Sequence, residues 1–296
     1  MKLVNFYYAG RQRYGVVEGD RVIDPGLTPR YPDLKSLLAA GDDGKVALQA
    51  ALARGGDPFP LADIRFLPVI DNPGKIICVG HNYEAHRLET RGEKTSHPTL
   101  FLRTATSQTG HNGALVCPAV SDKFDFEGEI ALIIGRQGRH IPAAQAMEHV
   151  AGYACYNDAS VRDWQSHTPQ WTPGKNFDAT GSFGPWMVTR DAIADDAVLT
   201  LVTRLNGAEV QRTTTEHLIR PFPALIAYIS AFTTLMPGDV IVTGTPGGIG
   251  ARRTPPLFMG PGDVVEVDIT HIGRLRNTVA AEETQKDDQH EKTACL

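Results

Sequence analysis

Hydrophobic positions along the chain fall into short runs separated by Gly, Pro, Asp and Asn, a pattern of many strands joined by turns. Residues 1–25 read as the strands LVNFYY, YGVVEGD and RVIDPG, with a polar break at GRQR. From Leu34 to Arg54 the apolar spacing becomes helical, interrupted by GDDG at 41–44. The stretch GGDPFPLADIRFLP and DNPG at 71–74 punctuate rather than pack, so a domain boundary is expected there. Beyond it, KIICVG (75–80), TLFLR, ALVCPAV, EIALIIG, GYACYN, GPWMVT, AVLTLVTRLNG, DVIVTG and DVVEVDIT are strand candidates. Helices are expected at 142–150, opened by Pro142, and near 223–235. With few βα alternations and no dinucleotide-binding glycine fingerprint, the expected class is a strand-dominated α+β fold. The last stretch, ETQKDDQHEKTACL, is polar and aperiodic, so residues 283–296 are expected to be a disordered tail.

Composition narrows the functional classes. The 296 residues are 42% hydrophobic and 21% charged, as in ordinary globular proteins. A formal net charge of −5 argues against a nucleic-acid partner, which favours a basic face. No apolar run approaches the roughly 20 residues of a membrane span. The N-terminus lacks a signal-peptide pattern. Cys78, Cys117, Cys155 and Cys295 are scattered without a C-x-x-C pair, which favours reduced thiols and a cytoplasmic location.

The run FDFEGEIALIIG (124–135) sets two acids into an apolar stretch. Strand alternation places Glu127 and Glu129 on one face, and Phe126, Ile130, Leu132 and Ile134 on the other. Carboxylates roughly 6.5–7 Å apart along a strand either share a cation or both meet water at a solvated edge. This stretch alone leaves the two readings even. GYACYNDASVRDWQ (152–165) adds Asp158 at an expected strand end, where a third oxygen ligand could reach the site. Three carboxylates suit a hard divalent ion, Mg²⁺ or Mn²⁺, with room left for substrate. Arg162 and Gln165 are candidates to hold the carboxylate and carbonyl of a bound acid, or are local caps of a surface turn. Asp163 reads as structural.

HNYEAHRLE places His86 and Glu89 at i, i+3, on one helical face if this segment is helical. A Glu that fixes one imidazole nitrogen makes the other a better base, although a surface ion pair is the commoner outcome of such spacing. Lys175, in the Gly/Pro-rich WTPGKNFD, is a candidate to neutralise an oxyanion, against the plain reading of a solvated lysine. VTGTPGGIG (242–250) lacks the ending of a phosphate loop. Its glycines would let backbone N–H groups and the Thr245 hydroxyl approach a small anion.

In order, H-N-Y-x-x-H-x-x-E, F-E-G-E, N-D-x-S-x-R-D-x-Q, G-K-x-F-D and T-G-T-P-x-G-I-G resemble the fumarylacetoacetate hydrolase superfamily. The resemblance covers about 71–282, and residues 1–70 resemble the small N-terminal α/β accessory domain many members carry. It implies a mixed β-roll catalytic domain, a divalent metal and a homodimer. It implies the metal on Glu127, Glu129 and Asp158, the acid–base dyad at His86 and Glu89, and an active-site lysine at Lys175. Arg162, Gln165 and Thr245 match positions that hold substrate. Arg103 stands in FLRT where many relatives have F-L-K, and is expected near the mouth of the site. Gln108 is left open and His111 reads as a loop residue.

The expected reaction is hydrolysis of a C–C bond in an acylpyruvate-type 2,4-dioxo acid, giving pyruvate and a carboxylic acid. Decarboxylation of a 2-oxo dicarboxylic acid, or ketonisation and isomerisation of an unsaturated one, by the same metal–enolate chemistry is the alternative. A metal-stabilised binding protein without turnover is the rival from another class.

Overall fold

The computed structural model describes residues 1–92 and 95–283. The tail expected at 283–296 lies, apart from its first residue, outside the described residues, as does Cys295. A long mixed sheet organises the molecule. Its order runs through strands Asp57–Pro60, Arg21–Asp24, Arg11–Glu18, Lys2–Tyr8, Gly181–Thr189, Val150–Asn157, Gly128–Ile134, Val240–Val242, Ile76–Gly80 and Thr99–Arg103. A five-stranded sheet packs beside it, in the order Ala208–Thr214, Thr200–Leu205, Val264–Ile269, Gly273–Ala281 and Ala114–Cys117. Pairing is mostly antiparallel, with parallel junctions between Val240–Val242 and Ile76–Gly80 and between Gly273–Ala281 and Ala114–Cys117. The strand-dominated α+β fold expected from the sequence is the one observed.

Strand Gly128–Ile134 lies inside the long sheet and is buried along its whole length. Ile130, Leu132 and Ile134 pack with Leu201, Val267 and Leu275 of the second sheet and with Leu225, Ile226 and Ile229 of helix Phe222–Phe232. Ala131 and Ile133 pack on the opposite side, against Leu34, Leu37 and Leu48 of the N-terminal helices. The solvated-edge reading of this segment is therefore excluded: the strand lies inside the sheet and every residue of it is buried. Such a two-sided strand is a rigid support for whatever it carries at its end.

The N-terminal residues join this framework directly. Lys2 and Leu3 pair with Val188 and Met187, extending the long sheet across the boundary expected near residue 70. The helical stretch from Leu34 is two helices, Leu34–Ala39 and Gly41–Ala53. GDDG opens the second helix instead of breaking the first, with Asp42 and Asp43 in its first turn, where carboxylates suit the helix dipole. Segment 142–150 is a 3₁₀ helix, Ala143–His149. Cys78, Cys117 and Cys155 are free thiols.

Candidate active site

The site begins where the strands run out. The FDFEGE run does not continue as one strand: Phe124–Asp125 pairs with Ser160–Val161 in a small separate sheet, and the long-sheet strand starts at Gly128. Glu127 lies in the break between them, and Glu129 lies within the strand. Gly128 allows a close approach, because a Cβ there would sit 2.1 Å from Thr203 Oγ1. The Asn157 side chain accepts from the Glu127 amide, and the Asp158 amide donates to Glu127 O at 2.8 Å. Two chain breaks are thus stitched together, and ligand oxygens of Glu127, Glu129 and Asp158 lie within 4.8 Å of one another. All three residues are buried.

Three cations answer these acids. Lys175 Nζ, at the end of the short helix Thr172–Lys175, lies 2.7 Å from Glu127 Oε2 and 2.6 Å from Asp158 Oδ2. Arg162 Nη2 lies 2.7 Å from Glu127 Oε1, and its Nε 2.8 Å from Asp125 Oδ2. Arg103 Nη1 lies 2.6 Å from Asp158 Oδ1. Glu129 differs: its recorded hydrogen bond comes from the Gly244 amide, and it has no cationic side chain of its own among the described residues. Gly244 is at φ +108°, a backbone shape that favours glycine and aims this N–H at the carboxylate.

The electrostatics follow. Burial raises the Asp158 carboxyl above its ordinary range, and Lys175 and Arg103 offset part of that. Burial also works against the Glu127 charge, but Arg162 and Lys175 overcome it and hold the carboxyl well below its usual range. For Glu129, burial with Asp158 and Glu127 alongside pushes it far up. Burial works against the Lys175 charge too, yet Asp158 and Glu127 prevail and keep the ammonium charged. A buried carboxylate without a cation, in a trio of hard oxygen donors, is what a divalent-ion site looks like before the ion's charge is counted. The residues fit Mg²⁺ or Mn²⁺.

The triad forms part of the wall of a cavity of about 850 Å³. His86, Lys175, Arg162, Gln165 and Thr245 share that wall. His86 lies on helix Glu84–Glu89, with Nδ1 2.8 Å from Glu89 Oε1, while Glu89 Oε2 accepts from the Gly248 amide at 2.9 Å. Gln165 Oε1 accepts from Arg162 Nη1 at 2.9 Å, so these two expected substrate contacts form one unit. The Thr245 hydroxyl is already engaged, donating to Gly128 O and accepting from Gln211 Nε2.

Arg103, expected near the mouth, is not there: its side chain is fully buried behind Asp158, donating also to Ala159 O and Thr180 Oγ1. The longer guanidinium reaches past the pocket wall and braces the carboxylate from the back. Two residues that sequence reasoning passed over also shape the site. The buried Asp125 accepts from Arg162 Nε and from the Gly250 and Ala251 amides, tying the 245–252 loop to the triad. Gln211 accepts from the Gly128 amide and donates to Thr245 Oγ1 and Pro246 O. Asp125 stood inside the quoted FDFEGE run. Gln211 had no local signal, since its importance comes from a strand distant in sequence. Gln108 is buried near Arg103 through Ser107, and His111 packs edge-on against Phe66.

Fold and site together define a family. The model of the fumarylacetoacetate hydrolase C-terminal domain matches residues 75–280, and the chain belongs to the fumarylacetoacetate hydrolase superfamily. It is 39% identical over 258 residues to a mitochondrial oxaloacetate tautomerase of Xenopus laevis, covering 86% of this chain and 80% of that protein. Among solved structures it resembles the fumarylacetoacetate hydrolase of Exiguobacterium antarcticum, with TM-score 0.83 and 35% identity, over 95% of this chain and 100% of that one. It also resembles a maleylpyruvate hydrolase of Sphingobium sp. SYK-6 in complex with manganese(II) and pyruvate, with TM-score 0.80 and 30% identity, over 96% of this chain and 100% of that one. No helix among the described residues is long and apolar enough to cross a membrane.

Proposed function

We propose that the chain is a divalent-metal-dependent enzyme that interconverts the keto and enol forms of a 2-oxo acid of the oxaloacetate type. The observation that carries this reading is the His86–Glu89 pair, whose His86 shares a cavity wall with the buried carboxylate triad. Glu127, Glu129 and Asp158 would hold Mg²⁺ or Mn²⁺. When bound, the ion supplies Lewis acidity that draws charge towards the 2-oxo oxygen.

His86 is the proton carrier. With Nδ1–H donated to Glu89, its Nε2 is the free base. Nε2 takes a proton from C3, the C–H electron pair becomes the C2–C3 double bond, and the carbonyl π pair moves to oxygen. The imidazolium then returns the proton to that oxygen, completing the enol, and the reverse path restores the ketone. The Lys175 ammonium, held by Glu127 and Asp158, places positive charge beside the developing oxyanion. Arg162 and Gln165 hold the substrate carboxylate as one unit. Similarity to the oxaloacetate tautomerase of Xenopus laevis supports this choice among the enolate reactions. The test is the rate at which enol absorbance decays after enol-oxaloacetate is added. Metal-dependent acceleration over the spontaneous rate, without carbon dioxide or pyruvate release, supports it.

The C–C hydrolysis favoured by the sequence is the second reading, supported by the manganese- and pyruvate-bound maleylpyruvate hydrolase neighbour. There His86 would deprotonate water for attack on the distal carbonyl. Release of pyruvate and a second acid from an acylpyruvate decides for it.

A further inference from the structure

The triad, Lys175, Arg162 and His86 account for the inner end of the cavity, but the wall continues outward to two cations with no assigned role, Lys123 and Arg252. Neither has an ion-pair partner among the described residues, and both are exposed. Their backbones are fixed by the site itself. The Lys123 carbonyl accepts from the Arg162 amide at 3.0 Å. Arg252 ends the 3₁₀ turn Gly250–Arg252, whose Gly250 and Ala251 amides are clamped at 2.8 and 2.9 Å by the buried Asp125 carboxylate. Asp125 lies two residues after Lys123, so one buried carboxylate anchors the backbone beside both cations and also holds Arg162.

The charges differ along the cavity. At the inner end, Glu127, Glu129 and Asp158 face Lys175 and Arg162. Further out, Lys123 and Arg252 accompany one carboxylate among the described lining residues, Asp163, whose Oδ1 accepts from the Ser121 hydroxyl at 2.7 Å and the Trp164 amide at 3.0 Å. Ile249, Pro256 and Phe258 supply apolar wall. A substrate fixed by its 2-oxo acid group at the triad therefore has its far end facing two cations against one carboxylate.

We propose that Lys123 and Arg252 form a distal-anion subsite that selects a dicarboxylate over a monocarboxylate 2-oxo acid. This rests on the 2-oxo acid reading of the triad. The two cations contribute to affinity and discrimination through the second carboxylate, and an uncharged tail would leave their field unused. Because both are partly in water, the preference weakens as salt rises.

The experiment compares binding of 2-oxoglutarate and 2-oxopentanoate, which share a five-carbon 2-oxo acid and differ in the terminal carboxylate. Calorimetry is run on the Mg²⁺-loaded full chain, and on Lys123→Gln, Arg252→Gln and the double variant. The wild type is expected to prefer the diacid by about tenfold or more. The double variant should bring that ratio near unity, with each single variant between. A wild-type ratio near unity, or a ratio unchanged in the double variant, overturns the subsite while both acids still bind and the 2-oxo acid reading stands. Failure of both acids to bind the wild type overturns that reading and the subsite with it. Both substitutions are on exposed side chains, and a circular dichroism melt matching the wild type establishes that each variant is folded.

Discussion

Arg103 and Asp158 form an ion pair with no exposed side-chain surface, at 2.6 Å between Nη1 and Oδ1. The guanidinium also donates to Ala159 O and Thr180 Oγ1, so it cannot swing towards the cavity without leaving those acceptors empty. Its role is to hold a carboxylate of the triad from behind. Arg103→Met would strand Asp158 with Lys175 as its only cation. A loss of about 3–5 kcal/mol is expected, as when one partner of a buried pair is removed, read from urea unfolding of the metal-free protein. An unchanged midpoint would show that the pair contributes nothing to the fold.

The proposed proton-transfer dyad has a separable signature. Glu89→Gln keeps the helix and the size of the side chain but replaces the carboxylate that orients His86. The turnover rate is expected to fall by about a hundredfold or more, while Mn²⁺ affinity stays near the wild-type value. His86→Ala should remove turnover altogether. Wild-type turnover in His86→Ala would require another group to carry the proton.

Much of the site was legible in the sequence because its chemistry sits in compact runs. The structure brings Glu127, Glu129, Asp158, Lys175, His86 and Glu89, each singled out from its motif, to one cavity wall or immediately behind it. Arg103 was misplaced because sequence gives the identity of a long side chain but not the direction it takes. The strands at Ala208–Thr214 and Gly273–Ala281 were also missed. In the second, buried Leu275, Asn277 and Val279 alternate with exposed Arg274 and Arg276, but a polar residue at the middle inward position broke the apolar pattern. Asn277 is tolerated there because it donates to Gly110 O and Gly113 O, both at 2.8 Å. The reading of FDFEGE as a single strand failed for a related reason: alternation describes a continuous strand, and the chain changes sheets at Glu127.

Gly128 offers a packing test close to the triad. Gly128→Ala would drive its methyl group against Thr203 Oγ1, at an expected cost of about 1–3 kcal/mol for overpacking. Adding Thr203→Ala should recover most of that loss, because the clashing atom is gone. Chemical denaturation of both single variants and the double variant gives the coupling energy. Strict additivity would mean that the contact does not limit this position.

His111 sets a pH dependence of stability away from the active site. Its Nδ1 accepts from the Arg276 amide at 3.1 Å, and burial, with Arg276 nearby, lowers its pKa from 6.5 to about 4. In the window between those values the unfolded chain binds the proton and the folded one does not. Stability from this group is therefore fully present above about pH 6.5, declines as pH falls towards 4, and levels off below. His111→Asn, which can keep an acceptor for Arg276, should flatten the denaturation midpoint across that window. An equal slope in wild type and variant would place the titration elsewhere.

The most direct measurement is a Mn²⁺ titration of metal-stripped protein followed by electron paramagnetic resonance, with Glu129→Gln run in parallel. A single saturable site per chain, lost or weakened at least about a hundredfold in Glu129→Gln, is the expected result, since the variant removes the buried carboxylate that lacks a cation of its own. No saturable site, or a site equally strong in Glu129→Gln, would contradict metal binding by the Glu127–Glu129–Asp158 triad.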